Sequence, residues 1–120
     1  MEFHQFTSEV LNLITHYDEN SIAINNQTFK QNIVVYQNQI DLIVNIDDLE
    51  KIHFKKIVKL KPEILLIGVK SNFKLDISQH KNFIQNQIAV EQMRFDAACR
   101  TFNILMSEQR NVVMIVILEL

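Results

Sequence analysis

The apolar positions of this chain change rhythm along its length, and each rhythm predicts a different kind of element. Val10 to Tyr17 is apolar and β-branched enough for a strand, ending at Asp18-Glu19-Asn20. Ser21 to Ile24 predicts a short second strand, and Asn25-Asn26-Gln27 a tight turn after it. Thr28 to Tyr36, centred on Ile33-Val34-Val35, predicts a third strand, and Ile40 to Val44 another. A helix follows from near Asp47. Asp47 or Asn45 can cap it, and Asp48 and Glu50 suit its positive end. Leu49, Ile52, Ile57 and Leu60 fall roughly on one face, while Lys51, Lys55, Lys56, Lys59 and Lys61 crowd the far end. Pro62 stops the helix.

Beyond Pro62 the pattern becomes regular. Glu63 to Gly68 (EILLIG) is a near-continuous apolar run, as in a buried parallel strand. Asp76 to Gln87 predicts a helix with Ile77, Ile84 and Ile88 spaced for one face. Ile88 to Gln92 predicts a short strand, Asp96 to Gln109 a helix, and Asn111 to Leu118 a β-branched closing strand. Short connections between these elements imply right-handed crossovers and a partly parallel sheet. The expectation is an α/β protein of one domain over residues 1–120. It has N-terminal strands in about 10–44, a helix in about 47–60 and a βαβαβ unit in about 63–118.

Composition adds limits. A chain of 120 residues with 48% hydrophobic and 22% charged residues can bury one core. It has a single Gly, so turns must draw on Asn, Asp and Ser, which tolerate left-handed backbone better than most residues. A net charge of -2 argues against broad nucleic-acid binding, which needs a surplus of Lys and Arg. The lone Cys99 cannot form an internal disulfide and fits a reducing compartment. No run reaches the roughly 18 apolar residues of a membrane span, and the N-terminus lacks a signal-peptide core. The expected location is cytoplasmic.

Candidate chemistry is sparse. On the helix Asp96 to Gln109, Ala98, Cys99, Phe102, Leu105 and Met106 form an apolar stripe. Asp96, Arg100, Asn103, Ser107 and Arg110 form the opposite one. That face is either plainly solvated, or it offers Arg100 and Asn103 to a partner or ligand. Cys99 sits near the helix start but on the apolar side with no neighbouring His, as a structural thiol would. His4, His16, His53 and His80 show no metal-ligand spacing, so neither metal nor cofactor is expected. Gly68-Val69-Lys70-Ser71 ends a strand where α/β sheets open a crevice. Gly68 permits a sharp turn there, and Lys70 can meet an anion. Lys51, Lys55 and Lys59 recur every four residues. They complement the helix dipole, and they also suit an acidic partner or weak peripheral attachment to an anionic membrane.

KPEILLIG, IAVEQM and AACRTFNILMSEQR, followed by a β-branched strand, resemble the small domain family that includes mitochondrial complex I assembly factor 3 and an adipogenesis-associated protein. The most specific stretch is Ala98-Cys99-Arg100-Thr101-Phe102-Asn103, with Glu108 and Arg110 after it, and SIAINNQTFKQNIVV is similar to the family's early hairpin. The resemblance implies a three-layer β+α/β/α sandwich with a central mixed sheet and an N-terminal β-hairpin region. It implies no established enzyme activity, and for the mitochondrial relative a part in assembling the respiratory NADH dehydrogenase. The family's Gly-Thr-Gly after the buried strand is Gly68-Val69-Lys70 here. Its Asp-Thr pair is Arg94-Phe95, and its Gly before Arg110 is Gln109.

The expected function is a non-catalytic interaction or assembly-factor-like domain with a protein partner. The alternative is a small anion-binding protein or minor enzyme using the crevice between Gly68–Ser71 and Arg94–Arg100, where a helix N-terminus favours anions. The candidate surface comprises Gly68, Lys70, Arg94, Arg100, Thr101, Asn103, Glu108 and Arg110. A closing apolar strand at a sheet edge would also invite homo-oligomers.

Overall fold

The computed structural model describes residues 5–7 and 10–120. Along the chain run β1 (Gln5–Thr7), β2 (Ile14–Asp18), β3 (Ser21–Ile24), β4 (Gln27–Phe29), β5 (Ile33–Val35) and β6 (Gln39–Leu42). A π-helical turn (Leu49–His53) leads into α1 (Phe54–Leu60). Then come β7 (Ile64–Val69), α2 (Lys81–Gln85), β8 (Ala89–Arg94), α3 (Phe95–Ser107) and β9 (Val112–Ile117). A six-stranded mixed sheet has the order β1-β6-β5-β9-β7-β8, and a second sheet the order β2-β3-β4. β7 runs parallel to both β8 and β9, whereas β5 is antiparallel to β9 and β6.

The sheet is the middle of three layers. On one face α3 and the small sheet share a core built around Ile22, Ile24, Phe102, Met114 and Val116. On the other, the π-turn, α1 and α2 bury Leu49, Phe54, Ile57 and Phe83 against Leu65, Ile67 and Ile115. Every residue of β9 is buried, because β9 lies between β5 and β7. It is therefore interior, and the expected pairing at an exposed closing strand has no basis. The described sheet instead ends at β1 and β8.

Other departures from the sequence pattern have local causes. The run Thr28 to Tyr36 is two strands in different sheets. Between them buried Asn32 turns the chain, its Oδ1 accepting from Leu118 N at 2.7 Å and Glu119 N at 2.9 Å. The strand starting at Val10 begins only at Ile14. Before it, buried Asn12 lashes the chain to the Tyr36 carbonyl at 2.8 Å while Val10, Leu11 and Leu13 are exposed.

In the lysine-rich segment the π-turn, with more residues per turn than an α-helix, shifts the helical phase. His53, Phe54 and Ile57 point inward, and Ile52 and Leu60, expected on the buried face, are exposed. The helix expected from Asp76 shrinks to Lys81–Gln85. Asp76 Oδ1 takes the Ser78 N–H at 2.9 Å and its hydroxyl at 2.7 Å, a local turn that competes with helix. Phe83 is the buried anchor there and Ile84 faces solvent.

With one Gly in the chain, left-handed backbone falls to other residues. Asn25 and Asn26 make the β3–β4 turn at φ 48° and 70°, as the Asn-rich sequence predicts. Lys61, Gln87 and Gln109 also have positive φ, each just beyond a helix, where Gly is the usual residue.

Candidate functional site

The parallel strands β7, β8 and β9 all point their carboxyl ends to one edge, where an α/β sheet opens. A crevice of about 330 Å³ lies there, lined by Tyr17, Asp18, Glu19, Lys70, Ser71, Arg94, Phe95 and Asp96. Lys70 and Ser71 leave β7, and Arg94 and Phe95 form the β8–α3 junction. Tyr17 to Glu19 reach over from the end of β2, so the small sheet supplies one wall. Tyr17 and Phe95 meet edge to face, their ring centroids 6.2 Å apart.

Lys70, Arg94, Arg100, Asp18 and Asp96 of this crevice each have a polar partner. Arg94 forks onto Asp96, Nε to Oδ1 at 3.1 Å and Nη2 to Oδ2 at 2.7 Å. Those bonds hold the Asp96 carboxyl below its ordinary range and raise the Arg94 guanidinium. Arg100 Nη1 donates to the Tyr17 hydroxyl at 3.0 Å and lies 3.8 Å from Asp96. Lys70 Nζ donates to Asn20 Oδ1 at 2.6 Å. Asp18 accepts the Asn20 N–H at 2.9 Å, which lowers its carboxyl. Three cations thus stand among three carboxylates, and the local field is close to balanced.

The remaining residues singled out from the sequence do other things. Gly68 lies inside β7 rather than at a turn. A Cβ there would stand 2.8 Å from Ala98 Cβ and 3.4 Å from Phe95 Cα, so it permits α3 to approach the sheet. Thr101 Oγ1 donates back to the Ala97 carbonyl at 2.9 Å and sits 3.6 Å from Met93 Sδ. Asn103 mimics a neighbouring strand. Its Oδ1 accepts from Ile14 N at 2.9 Å and its Nδ2 donates to Ile14 O at 2.8 Å, which fastens α3 to the edge of β2.

Glu108 and Arg110 lie beyond the far end of α3, away from the crevice. Arg110 Nε donates to Glu63 Oε2 at 2.9 Å, and this bond lowers the Glu63 carboxyl. The structure therefore brings Lys70, Arg94 and Arg100 together and disperses the other five. Tyr17, Asp18 and Glu19 had no signal in the sequence beyond a predicted strand end.

Cys99 is buried in the second turn of α3, and burial pushes its thiol up to about 12. A thiol so disfavoured as thiolate is a packing group. Among the described residues no three His, Cys, Asp or Glu side chains gather as metal ligands. His4 lies outside the described residues.

A second polar cluster, unforeseen from the sequence, sits beneath α1. Buried Asp41 accepts from Lys56 Nζ at 2.7 Å and from Gln39 Nε2 at 2.8 Å, and Lys56 Nζ stands 4.8 Å from the Tyr36 ring centre. Burial, and then Asp41, raises the Tyr36 hydroxyl; burial lowers His53 below its ordinary 6.5. Among the described residues, the enclosed His53 Nδ1 has no hydrogen-bond partner.

A three-layer α/β domain with a β-roofed crevice at the carboxyl edge of a mixed sheet is the class these features define. Within it, the chain belongs to the family described as a protein of unknown function (DUF498/DUF598), whose pattern matches residues 14–117. A relative from Francisella tularensis subsp. holarctica (strain LVS), called a 13 kDa major membrane protein, is 38% identical over 90 residues. That match spans 71% of this chain and 68% of the relative.

Among solved structures, a Bordetella parapertussis protein superposes with a TM-score of 0.74 at 28% identity, covering 92% of this chain and 98% of that one. A Bordetella pertussis protein described as an Mth938-like domain gives 0.71 at 23% identity, covering 98% and 92%. The fold is of that type. No described helix is long and apolar enough to cross a membrane.

Proposed function

We propose that this chain is a non-catalytic interaction domain that joins a protein partner through the β8 edge of its central sheet. The observation that carries this reading is the state of that edge. Among the described residues β8 ends the sheet, so one row of its backbone groups has no strand beyond it, while its Gln92 side chain accepts from Ile77 N and donates to Leu75 O. Ala89, Glu91 and Arg94 of β8 are exposed. Thr101 of α3 lies against Met93 of β8. One turn further along α3, the helix that packs against β8, Ile104 is an apolar side chain 57% exposed. Such an edge suits a partner that adds a strand and buries an apolar side chain against Ile104.

The finer role is help in assembling a membrane-bound respiratory complex, from the cytoplasmic side. It is supported by the sequence resemblance to an assembly factor, by the relative named as a membrane protein, and by the unpaired Cys99. The test is photo-crosslinking in native cells from a reactive residue placed at position 104. One defined protein adduct is expected from 104 and none from exposed Ser107. Absence of an adduct at 104, or equal adducts at both, contradicts the reading.

The carboxyl-edge crevice supports a second reading, capture of a small anion between Lys70, Arg94 and the start of α3. Binding there has to displace Asp96 from Arg94. Thermal-shift measurements with phosphates, nucleotides and carboxylates test it. A stabilisation lost in Arg94→Ala supports it, and no shift with any of them removes it.

A further inference from the structure

We infer that the outer face of the π-turn and α1 is a docking surface for anionic lipid. Lys51, Lys55, Lys59 and Lys61 all point to solvent. Among the described residues none of these four has a carboxylate partner, whereas Lys56, on the inner side, is held by Asp41. Of the acids at the start of the same segment, Asp48 and Glu50 are engaged elsewhere, while exposed Asp47 lines a groove with Lys51 and Lys55. Asp48 accepts from Asn45 N at 3.3 Å, and Glu50 lies 3.4 Å from His80 Nε2. A chain with a net charge of -2 thus concentrates four unpaired positive charges in eleven residues.

An apolar side chain stands in sequence among those lysines: Ile52, on the π-turn, is 54% exposed. Leu60, 52% exposed, lies on another side of α1, lining a cavity with Tyr36, Gln37 and Asn111. Lysines alone would suit any polyanion. An exposed aliphatic group between them chooses among polyanions. Nucleic acid is gripped by basic grooves with aromatic platforms, and this face has no exposed aromatic. An aliphatic side chain flanked by lysines matches the interfacial pattern: the apolar group enters the headgroup boundary while ammonium groups reach outward to phosphates.

The segment is short and offers one signal, so attachment is reversible and falls with salt as the charges are screened. This face belongs to the α1 layer and shares no residue with the β8 edge, so the inference goes beyond the partner reading and can fail separately.

Co-sedimentation of the purified chain with lipid vesicles tests it. The chain is expected to pellet with phosphatidylcholine vesicles containing phosphatidylglycerol at low salt. It is expected to stay in solution with phosphatidylcholine alone, and to leave the anionic vesicles as salt rises. Each of Lys51→Gln, Lys55→Gln and Lys59→Gln should weaken binding about fivefold. Ile52→Ser should weaken it at unchanged charge.

Removal of three charges elsewhere, by Lys30→Gln, Lys70→Gln and Arg100→Gln together, should leave binding intact; circular dichroism confirms that each variant is folded. Three results overturn the inference. One is no pelleting with anionic vesicles. Another is loss in the Lys30, Lys70, Arg100 variant but not in the lysine-face variants. The third is binding indifferent to Ile52→Ser, which would mark a purely electrostatic site for a soluble acidic partner.

Discussion

The two layers that cover the central sheet solve the same problem differently. On the α3 side, buried polar groups are matched. Asn103 satisfies both backbone groups of Ile14, Asn12 bonds the Tyr36 carbonyl, and Gly68 permits α3 to lie close on β7. On the α1 side, among the described residues, two enclosed imidazole nitrogens have no partner: His53 Nδ1 and His80 Nδ1. The helices there are shorter and one turn is π-helical. An enclosed polar atom without a partner carries its full desolvation cost, about 1–3 kcal/mol. The comparison teaches that one layer is fastened by specific polar contacts, while the other is held mainly by aromatic and aliphatic packing around Phe54, His80 and Phe83.

Cutting into each layer sharpens this contrast. Phe102→Ala empties a fully buried site that rigid neighbours cannot fill, and should cost about 4–5 kcal/mol in urea denaturation. Phe83→Ala, on a five-residue helix whose aromatic neighbours can shift, should cost less, about 3 kcal/mol. Equal losses would remove the distinction. Asn103→Ala should follow, at about 2 kcal/mol, because it strands the amide and carbonyl of Ile14. A change within about 0.5 kcal/mol would mean that water replaces the clamp.

The α1 layer also predicts a pH dependence of its own. His53 faces Asp41, Asp48 and Lys56, and burial depresses its pKa below 6.5. The unfolded chain therefore binds this proton first. Stability is present above pH 6.5 and is lost as pH falls through the lowered folded value. Asp18, Glu63, Asp76 and Asp96, all depressed by hydrogen bonds, act in the same direction. Their window lies lower, beneath their ordinary 3.8 and 4.5. Denaturation followed against pH should show the upper step in the wild type and its absence in His53→Phe, with the lower step kept. An unchanged upper step in that variant would assign it to another group.

The smallest expected effect concerns the left-handed residues. Gln109→Gly relieves backbone strain at φ 60° but loosens the unfolded chain, for a net gain of about 0.5 kcal/mol. A loss of stability would show that the Gln109 side chain contributes more than the strain costs.

The two layers also differ in how far the sequence disclosed them. The βαβαβ order and the apolar stripe of α3 were legible, because the buried strands and α3 keep their periods, although α2 is shorter than its pattern. The α1 layer was not, because a π-turn breaks the period on which such a reading depends and moves Ile52 and Leu60 to the surface. The run Thr28 to Tyr36 read as one strand although Lys30-Gln31-Asn32 interrupts its apolar character, because three polar residues with no Gly or Pro do not by themselves mark the change of sheet that buried Asn32 makes.

In the crevice, Lys70, Arg94 and Arg100 were legible as cations near a strand end. The bonds of Lys70 to Asn20 and of Arg100 to Tyr17 depend on a hairpin folding over from far along the chain, whereas the Arg94–Asp96 pair is local. No local pattern encodes that approach. The Asp41–Lys56 pair beneath α1 was hidden for the same reason.

The central claim is that this domain acts by surface contact at β8 rather than by chemistry in the crevice. The most direct test compares two variants in native cells, each carrying a photo-crosslinking residue at position 104. One has Lys70→Ala with Arg94→Ala in the crevice, and the other Ala89→Asp with Val90→Pro on β8, where the Val90 N–H faces outward because that of Ala89 faces β7. The account predicts that the protein adduct survives in the first and disappears in the second, with both proteins folded. An adduct lost with the crevice and kept with the altered edge would contradict it.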